Sequence, residues 1–353
     1  MNAHAHGMAL TRLLEQLSAR RYQFVPPTPA THRRFVARAK HREARNLRDV
    51  FGWSLPFRSG LLDAEIIDCL HAADALESRA GRFRAKVRVA SLHDDLFLHS
   101  AFPPGRDSVF FGPDSYRFAS FLQAALNGGR RPRSVLDLGT GSAVGGIVAA
   151  RLCGPERLLL TDINPRAIAL ARANVAHAQI QAEFVLTADL HGLDGPFDLV
   201  IANPPFIAAG GHAYRDGGDM RGAGLSLRWA TAAADKLSPK GRLLLYTGSA
   251  IVDGQDDLRR ALMTLFSGSD FSLRYDEIDP DIFGEELSRA AYRGVERIAA
   301  VGAVIERRSQ ASDTRDAIEG AKTFLGMVVA GSAPIDLYGI RSIMRRGSSN
   351  TTR

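Results

Sequence analysis

The stretch 135-VLDLGTGSAVGG-146 decides the fold of this chain of 353 residues. Its apolar beginning reads as a buried strand, and its glycines at positions 139, 141 and 145 form a turn that leads into a helix. Such a turn lets the backbone approach a ligand closely and directs helix N–H groups at it. The spacing G-x-G-x-x-x-G departs from the dinucleotide fingerprint G-x-G-x-x-G, so the turn alone predicts a ligand site and leaves the ligand open.

The alternation of strand and helix continues after this turn. It is typical of a parallel sheet that helices cover on both faces. We therefore predict an α/β fold, with a Rossmann-like, mostly parallel sheet of seven strands, helices on both faces and an antiparallel end. The strand segments are SVLDLG, RLLLTD, AEFVLTAD, FDLVIAN, GRLLLYTG, 271-FSLRYDEI-278 and 298-IAAVGAVIE-306.

The first part of the chain lacks this alternation and predicts a smaller N-terminal domain of helices and a hairpin. Helical patterns appear around residues 8–20, 30–48 and 61–80, and the segment 84–102 reads as a hairpin around His93-Asp94-Asp95. We predict three regions. They are a basic helical domain with a β-hairpin (1–106) that serves substrate recognition or acts as a lid, the α/β domain (107–306), and a partly disordered C-terminal extension (307–353).

The positive charge is concentrated at the N-terminus. Residues 1–60 contain 11 Lys and Arg against three acids, whereas the whole chain has a net charge of +7. A basic segment of this kind is typical of a surface that contacts phosphates, and equally of a solvated helix face. No aromatic or glycine pattern of a nucleic-acid module accompanies the arginines, which favours the solvated face.

Cysteine usage and hydropathy indicate the cellular environment. Cys69 and Cys153 lie far apart without a CxxC pattern, which predicts a reducing compartment and no metal site. The N-terminus lacks the apolar core of a signal peptide, and no stretch approaches the roughly 18 apolar residues of a membrane span. We predict a cytoplasmic protein without membrane contact and leave its oligomeric state open.

Acidic residues at successive strand ends indicate the cofactor. Asp162 ends the second strand, where an acid can accept both hydroxyl hydrogens of a ribose. Asp189 ends the third strand, where a carboxylate can accept from an adenine amino group. Asp137 would repel a pyrophosphate but would suit an amino-acid ammonium, so the set favours S-adenosylmethionine over NAD. The predicted cofactor-binding residues are Asp137, Gly139, Thr140, Gly141, Asp162, Ile163, Asn164, Asp189, Leu190 and Asn203.

Each of these acids, taken alone, also fits a helix N-cap or a turn. With DLGTGSA, TDIN, AD and NPPF in this order, however, the chain resembles the class I S-adenosylmethionine-dependent methyltransferases over roughly residues 107–305. It resembles more narrowly the branch with N-P-P-[FY] after the fourth strand. That branch includes release-factor glutamine N5-methyltransferases and the N6-adenine and N2-guanine methyltransferases of RNA and DNA.

The NPPF motif at residues 203–206 predicts the chemistry. The nitrogen of an amide or exocyclic amine is a poor nucleophile, because its lone pair is delocalised. The Asn203 side-chain oxygen and the Pro204 carbonyl can accept both N–H hydrogens and direct the lone pair at the sulfonium methyl. Pro204 and Pro205 fix their backbone φ angles, so the acceptors are positioned in advance. Phe206 offers a flat face for a flat substrate group. We predict no general base.

Three aromatic residues are candidates for the acceptor pocket. Phe111 and Tyr116 lie in 110-FFGPDSYRFASFL-122, which is similar to a segment beside the cofactor in the glutamine methyltransferases, although Tyr116 replaces their glutamate. Tyr214 begins YRDGG, which resembles their glycine-rich segment. Stacking on substrate, capping and ordinary half-buried packing all fit these tyrosines. Ala143 replaces the third glycine of those enzymes, which sterics should tolerate.

These observations predict N-methylation of a planar amide or amine, with a protein glutamine slightly favoured by the YRDGG segment. An RNA or DNA base acceptor is the alternative, because of the basic N-terminal segment. A lyase or cyclase of specialised metabolism that consumes S-adenosylmethionine is a second alternative, for which Tyr116 and Ala143 leave room.

Overall fold

The computed structural model of the protein describes residues 3–38, 43–188, 190, 192–208, 216–268 and 270–308. The helices are α1 (Ala3–Ala19), α2 (Pro29–Val36), α3 (Ala64–Ala72), α4 (Pro113–Leu126), α5 (Val144–Cys153), α6 (Pro165–His177), α7 (Gly224–Asp235) and α8 (Asp257–Leu265). The strands are β1 (Leu76–Arg79), β2 (Arg82–Ala85), β3 (Val87–Leu92), β4 (Asp95–Ser100), β5 (Ser134–Leu138), β6 (Arg157–Asp162), β7 (Glu183–Leu186), β8 (Phe197–Ala202), β9 (Leu237–Val252), β10 (Gln255–Asp256), β11 (Phe271–Asp279) and β12 (Arg297–Arg307).

The main sheet has the strand order β11-β12-β9-β8-β5-β6-β7. Strands β7, β6, β5, β8 and β9 run parallel, and β12 is antiparallel to both of its neighbours. The short β10 pairs with β9 as an eighth strand. The predicted α/β fold, with seven main strands and an antiparallel end, is confirmed.

Both faces of the sheet are buried, as the near-continuous apolar strands require. Alternate side chains of β5, β8 and β9 point to opposite faces. One face packs against α4 and α5, and the other packs against α7 and α8. The first face includes Val135, Leu199, Ile201, Leu244 and Tyr246, and the second includes Leu136, Leu138, Val200, Ala202, Leu243 and Leu245.

The N-terminal region contains shorter helices than the sequence predicts. α2 ends at Val36, although the pattern predicts a helix to residue 48, and a π-helix follows at Arg48–Gly52. α3 ends at Ala72, although the pattern predicts a helix to residue 80. The chain turns there because β1 pairs with β2, and this long-range pairing overrides the helical periodicity. The predicted hairpin is confirmed as β3 and β4, whose pairing ends at Leu92 opposite Asp95.

The N-terminal region shares a core with helix α6 of the α/β region. Ala167, Leu170 and Ala173 belong to the same buried cluster as the leucines of α1 and β4. Asn174 of α6 is wholly buried and stabilises this contact. Its side chain accepts a hydrogen bond from the Leu98 N–H and donates one to the Leu98 carbonyl. The division at residue 106 stays a prediction. The extension from residue 309 onward lies outside the described residues.

His32 is the most unusual buried residue of this region. Its side chain is 1% exposed, and neither ring nitrogen makes a hydrogen bond within the usual geometric limits. The pKa of His32 is lowered to about 4, mainly by burial and also by the Arg88 charge, while the Trp53 backbone opposes the shift. Because the charged imidazolium is disfavoured only in the folded state, the contribution of His32 to stability falls as the pH drops below its unfolded pKa.

We expect His32→Gln to remove this pH dependence. Between pH 7 and pH 5 the wild type should lose about 2 kcal/mol of unfolding free energy relative to the variant, since the unfolded histidine takes up its proton near pH 6.5 and the folded one near pH 4. Urea unfolding of both proteins at the two pH values measures the difference. A constant difference would show that His32 does not titrate as its burial implies.

Candidate active site

The pairing of strands β6, β5 and β8 brings their carboxyl ends to one edge of the sheet. Leu138 of β5 lies opposite Thr161 of β6 and Ala202 of β8. The next residue of each strand is therefore Gly139, Asp162 or Asn203. Since adjacent strands lie about 4.8 Å apart, the glycine turn starts between the acid and the amide. Three separate sequence motifs thus form one site.

The glycine turn has a left-handed backbone at several positions. Gly139 and Gly141 have φ angles of 68° and 55°, which side chains rarely adopt. A Cβ on Gly141 would meet open space, so its backbone is accessible to a ligand. Ala143 adopts the same conformation at φ 65° and is fully buried, so sterics tolerate it there as expected. The missing third glycine is therefore accommodated.

The buried side chain of Asp137 stabilises this turn by accepting hydrogen bonds from it. It is 2% exposed, and its Oδ2 accepts from the Thr140 hydroxyl at 2.6 Å and from the Gly146 N–H at 2.9 Å. The pKa of Asp137 is raised to about 6, mainly by burial and also by the nearby Asp162 charge, against the effect of these two donors. In this structure Asp137 and Thr140 hold the turn together. The interpretation of Asp137 as an ammonium partner is not supported by its orientation.

Asp162 joins the turn to the end of β6. Its Oδ2 accepts from the Gly141 N–H at 2.9 Å, and its Oδ1 accepts from the Asn164 N–H at 2.8 Å. Burial raises the pKa of Asp162, while the N–H groups of Asn164, Gly141 and Ile163 oppose that shift. Asp162 is half-buried, and each carboxylate oxygen has a further lone pair. It is therefore placed to accept from a ribose beside the turn.

The remaining predicted cofactor residues differ in their surroundings. The Asn164 side chain caps α6 by accepting from the Arg166 N–H, and it donates to the Asp107 carbonyl, so it is already engaged. Leu190 is buried in the core beside β5 and β8. Ile163 is half-buried at the open edge. Asp189 lies outside the described residues, and its predicted contact with adenine stays a prediction.

Asn203 is the half-buried residue that directly follows β8. No hydrogen bond to its side chain is found among the described residues, so the amide is available to a substrate. Pro204 is buried and Pro205 is half-buried. The pyrrolidine rings of the two prolines fix their φ angles, which restricts the position of the Pro204 carbonyl. The role of these two oxygens as a pair of acceptors stays a prediction.

Phe206 packs into the protein instead of lining an open site. Its ring is 8% exposed, covers Gly248 of β9 and meets Phe283 edge-on at 5.8 Å between ring centroids. The ring is therefore not an open flat face in this structure, and its predicted contact with a flat substrate group stays a prediction. Its burial instead fixes the end of the NPPF motif against the sheet.

The glycine-rich segment that follows clamps the NPPF motif. Ile207 forms a bridge with Asp216, and the Gly217 N–H donates to the Ile207 carbonyl at 2.9 Å. A Cβ on Gly222 would overlap the Phe206 carbonyl, and a Cβ on Gly217 would overlap the Gly222 carbonyl. Only glycine permits these backbones to lie so close. The segment thus supports the acceptor pair from behind.

The three aromatic candidates for the acceptor pocket are not confirmed. Phe111 is 3% exposed and packs against Phe97, which favours a packing role, and its assignment to the pocket stays a prediction; Phe110 is the exposed neighbour, at 41%. The Tyr116 hydroxyl donates to the Ser91 carbonyl at 2.7 Å, which ties α4 to β3 and favours the packing role. Tyr214 lies outside the described residues.

Trp229 of α7 is a residue of this edge that the sequence did not indicate. Its ring lies against Gly139, so that a Cβ there would overlap the indole. No sequence pattern links the glycine turn to a tryptophan about ninety residues downstream. The two come together only because α7 packs over the sheet. Gly139 therefore admits both an unusual backbone angle and a close aromatic neighbour.

Two general features of the described ranges bear on the site. A membrane-spanning helix is not found among their helices. Nor do these residues bring three or more His, Cys, Asp or Glu side chains into a group that could hold a metal ion.

We expect Gly217→Ala to disturb the NPPF motif from behind. The added methyl overlaps a backbone carbonyl that cannot move freely, and overpacking of this kind costs roughly 1–3 kcal/mol. Gly268→Ala is the control, because a Cβ there meets nothing within 4 Å. Thermal and urea unfolding compare the two. Equal stability of both variants would mean that the clamp is loose.

Comparison with known proteins identifies the class of domain. Residues 115–251 match the family model of the methyltransferase small domain. The chain is 32% identical over 124 residues to the release factor glutamine methyltransferase of Deinococcus radiodurans, which covers 35% of this chain and 43% of that protein. It is 35% identical over 120 residues to the ribosomal protein L11 methyltransferase of Geobacter sulfurreducens, covering 30% of this chain and 40% of that protein.

The chain thus spans less than half the length of the curated relatives it matches. A solved S-adenosylmethionine-dependent methyltransferase from Agrobacterium tumefaciens is 20% identical, with a TM-score of 0.43, over 72% of this chain and 77% of that chain. The family match and the relatives confirm the predicted methyltransferase domain, with S-adenosylmethionine as the cofactor of such a domain.

Proposed function

We propose that the methyltransferase domain of this protein transfers a methyl group to a planar amide or amine nitrogen, which Asn203 and the Pro204 carbonyl hold in place. The observation that supports this most strongly is the position of Asn203. It follows β8 beside the glycine turn, and its side chain has no hydrogen-bond partner among the described residues. An amide that is free of other hydrogen bonds and lies beside the glycine turn is suited to binding substrate.

The residues of the edge fit S-adenosylmethionine. Gly141 presents an open backbone, and Asp162 presents a half-buried carboxylate next to it. A ribose diol offers two donors to such a carboxylate. The bound cofactor would supply an electrophilic methyl carbon on a positively charged sulfur. We assign Gly139, Gly141, Asp162 and Ile163 to cofactor binding, with Asp137 and Thr140 as residues that position the turn.

The contribution of the chain to the reaction is orientation. Two oxygen acceptors bind the two N–H hydrogens of the acceptor nitrogen, and this draws its lone pair out of conjugation. The rigid Pro204-Pro205 pair avoids reorganisation when the substrate binds. No base is required beside the nitrogen, because its proton can leave to water after the new N–C bond has formed.

For the acceptor we favour a glutamine side chain in a protein. The segment that supports the NPPF motif is the glycine-rich one that resembles the glutamine methyltransferases, and a relative of that name is 32% identical over the shared region. The close backbone contacts of Gly217 and Gly222 explain why this segment requires glycines. Release factors and other proteins with an exposed glutamine loop are the substrates to test first.

A nucleic-acid base is the second candidate, supported by the basic N-terminal segment. Arg33, Arg34 and Arg38 are exposed in or just after α2. The charge is partly neutralised, however, because Arg45 pairs with Asp49 and Arg58 pairs with Glu43. Because these ion pairs neutralise part of the charge, the support for a phosphate-binding surface is weaker than the arginine count of the sequence suggests.

Labelled methyl transfer in cell extract distinguishes these acceptors. With S-adenosylmethionine labelled in its methyl group, label that survives nuclease and is lost with protease indicates a protein acceptor. Label lost with nuclease indicates RNA or DNA. Production of methylthioadenosine in place of S-adenosylhomocysteine would contradict methyl transfer and support the lyase or cyclase alternative.

We expect Asp162→Asn to weaken S-adenosylmethionine binding by about 10- to 100-fold, because a hydrogen bond to a charged group contributes about 1.5–3 kcal/mol. Asp253→Asn is the matched control, since Asp253 is exposed in the β9–β10 turn. Isothermal titration calorimetry gives both affinities. An unchanged affinity in the first variant would remove Asp162 from the cofactor site.

We expect Asn203→Ala to lower kcat by at least about 100-fold, the effect typical of removing one preorganised polar group. The affinity for S-adenosylmethionine should stay within about threefold, because Asn203 acts mainly on the acceptor. Asn127→Ala, at the exposed end of α4, should leave both quantities unchanged. Near-normal turnover of the Asn203 variant would refute the assigned role.

A further inference from the structure

A second group of polar side chains is buried in the N-terminal region, away from the glycine turn. Arg88 and His99 lie directly opposite each other on strands β3 and β4. His32 of α2 lies beside this pair, because its ring lies 5.4 Å from that of Trp53 (centroids) and the Arg88 Nε donates to the carbonyl of the preceding residue, Gly52. The Arg88 charge lowers the pKa of both histidines. All three are buried, at 8%, 2% and 1% exposure for Arg88, His99 and His32.

These side chains have unsatisfied hydrogen-bonding atoms. Both nitrogens of His32, Nε2 of His99 and Nη2 of Arg88 are inaccessible to solvent and make no hydrogen bond within the usual geometric limits; His32 has only a looser contact with the Trp53 backbone. The Arg88 Nε donates to the Gly52 carbonyl at 2.9 Å, which orients the guanidinium. Leaving a buried donor unpaired costs about 1–3 kcal/mol, and more for a charged group. Several such atoms in one place therefore indicate a missing partner.

No carboxylate neutralises Arg88 among the residues that the structure describes. The buried acid of the neighbouring π-helix, Asp49, accepts from the N–H and the Nε of Arg45. The Tyr22 hydroxyl does not pair with Arg88 either, because it donates to the Val89 carbonyl. Burial lowers the pKa of Arg88 to about 10, so the guanidinium still carries its charge at neutral pH. A buried positive charge without a counterion is strongly unfavourable.

Aromatic rings surround the two histidines. The His32 ring lies 4.3 Å from the Phe102 ring and 5.4 Å from that of Trp53, and His99 lies 5.6 Å from Phe111 (ring centroids). Gly52, which accepts from Arg88, ends the π-helix, and such distortions are frequent at functional sites. Aromatic walls around a few convergent polar atoms are typical of small-molecule sites.

We propose that Arg88, His32 and His99 form an oxyanion-binding site, which takes the carboxylate or phosphate group of a small molecule. The oxyanion supplies the charge that Arg88 lacks and accepts from its Nη2 and from the histidine N–H groups. One fixed positive charge beside two neutral imidazoles matches a single negative charge, which favours a carboxylate. The enclosure of the site excludes a nucleic-acid backbone.

The test measures thermal unfolding of the full chain at pH 7 and constant ionic strength, while sodium chloride is replaced by sodium acetate or sodium phosphate. A ligand that binds the folded state raises Tm in a saturable manner. We expect saturation with at least one anion, and an apparent affinity at least tenfold weaker in Arg88→Met. The control is Arg34→Met, which replaces an exposed arginine of α2 and should behave as the wild type. General salt effects on Tm should be the same in both variants, so the comparison separates them from binding at Arg88.

A second readout applies if Arg88→Met does not fold. In wild-type protein with ¹⁵N-labelled histidine, saturating anion should shift two ring-nitrogen resonances that chloride leaves unchanged. Saturation by acetate assigns a carboxylate ligand, and saturation by phosphate alone assigns a phosphorylated one. Saturation by neither, or equal affinity in Arg88→Met, overturns the proposal. Because S-adenosylmethionine is absent, the result does not depend on the proposed methyl transfer.

Discussion

The parallel pairing of β5 with β8 is the constraint on which the site depends. Because Leu138 lies opposite Ala202, the glycine turn and the NPPF motif leave the sheet side by side, although about sixty residues separate them. A slip of one residue would turn every side chain of the strand to the other face. In β8 such a slip would exchange the larger Leu199 and Ile201 on one packed face with the smaller Val200 and Ala202 on the other, and close packing disfavours this change of volumes. Core packing thereby fixes the geometry of the proposed chemistry.

Much of this geometry could be predicted from the sequence, because it follows from strand periodicity and from polar residues at strand ends. All seven main strands and the convergence of Gly139, Asp162 and Asn203 are of this kind. The sequence could not say which side chains face the ligand. Asp137 faces inward to Thr140 and Gly146, and Phe206 and Phe111 are buried, because tertiary contacts decide these orientations. For the same reason, the helix that the periodicity predicts up to residue 80 ends earlier, because β1 pairs with β2 there.

The N-terminal region is coupled to the glycine turn through one buried side chain. Asn174 of α6 bonds both backbone groups of Leu98 in β4, and it also donates to the Ser142 carbonyl within the turn, at 2.9 Å. Leu98 is adjacent to His99 of the proposed oxyanion site. The hydrogen bonds of Asn174 therefore join the residue next to His99 to the glycine turn. A buried amide with three bonds is expensive to disturb, so the two regions keep a fixed relation at this contact.

The central claim is that Asn203 and the Pro204 carbonyl form a rigid pair of acceptors facing the methyl group of S-adenosylmethionine. A crystal structure of the protein with this ligand tests the claim most directly. The account predicts the ribose on Asp162, the amino-acid portion along the glycine turn, and the sulfonium methyl directed at the Asn203 side-chain oxygen and the Pro204 carbonyl. A ligand bound elsewhere, or an Asn203 side chain turned away from the methyl group, would contradict it.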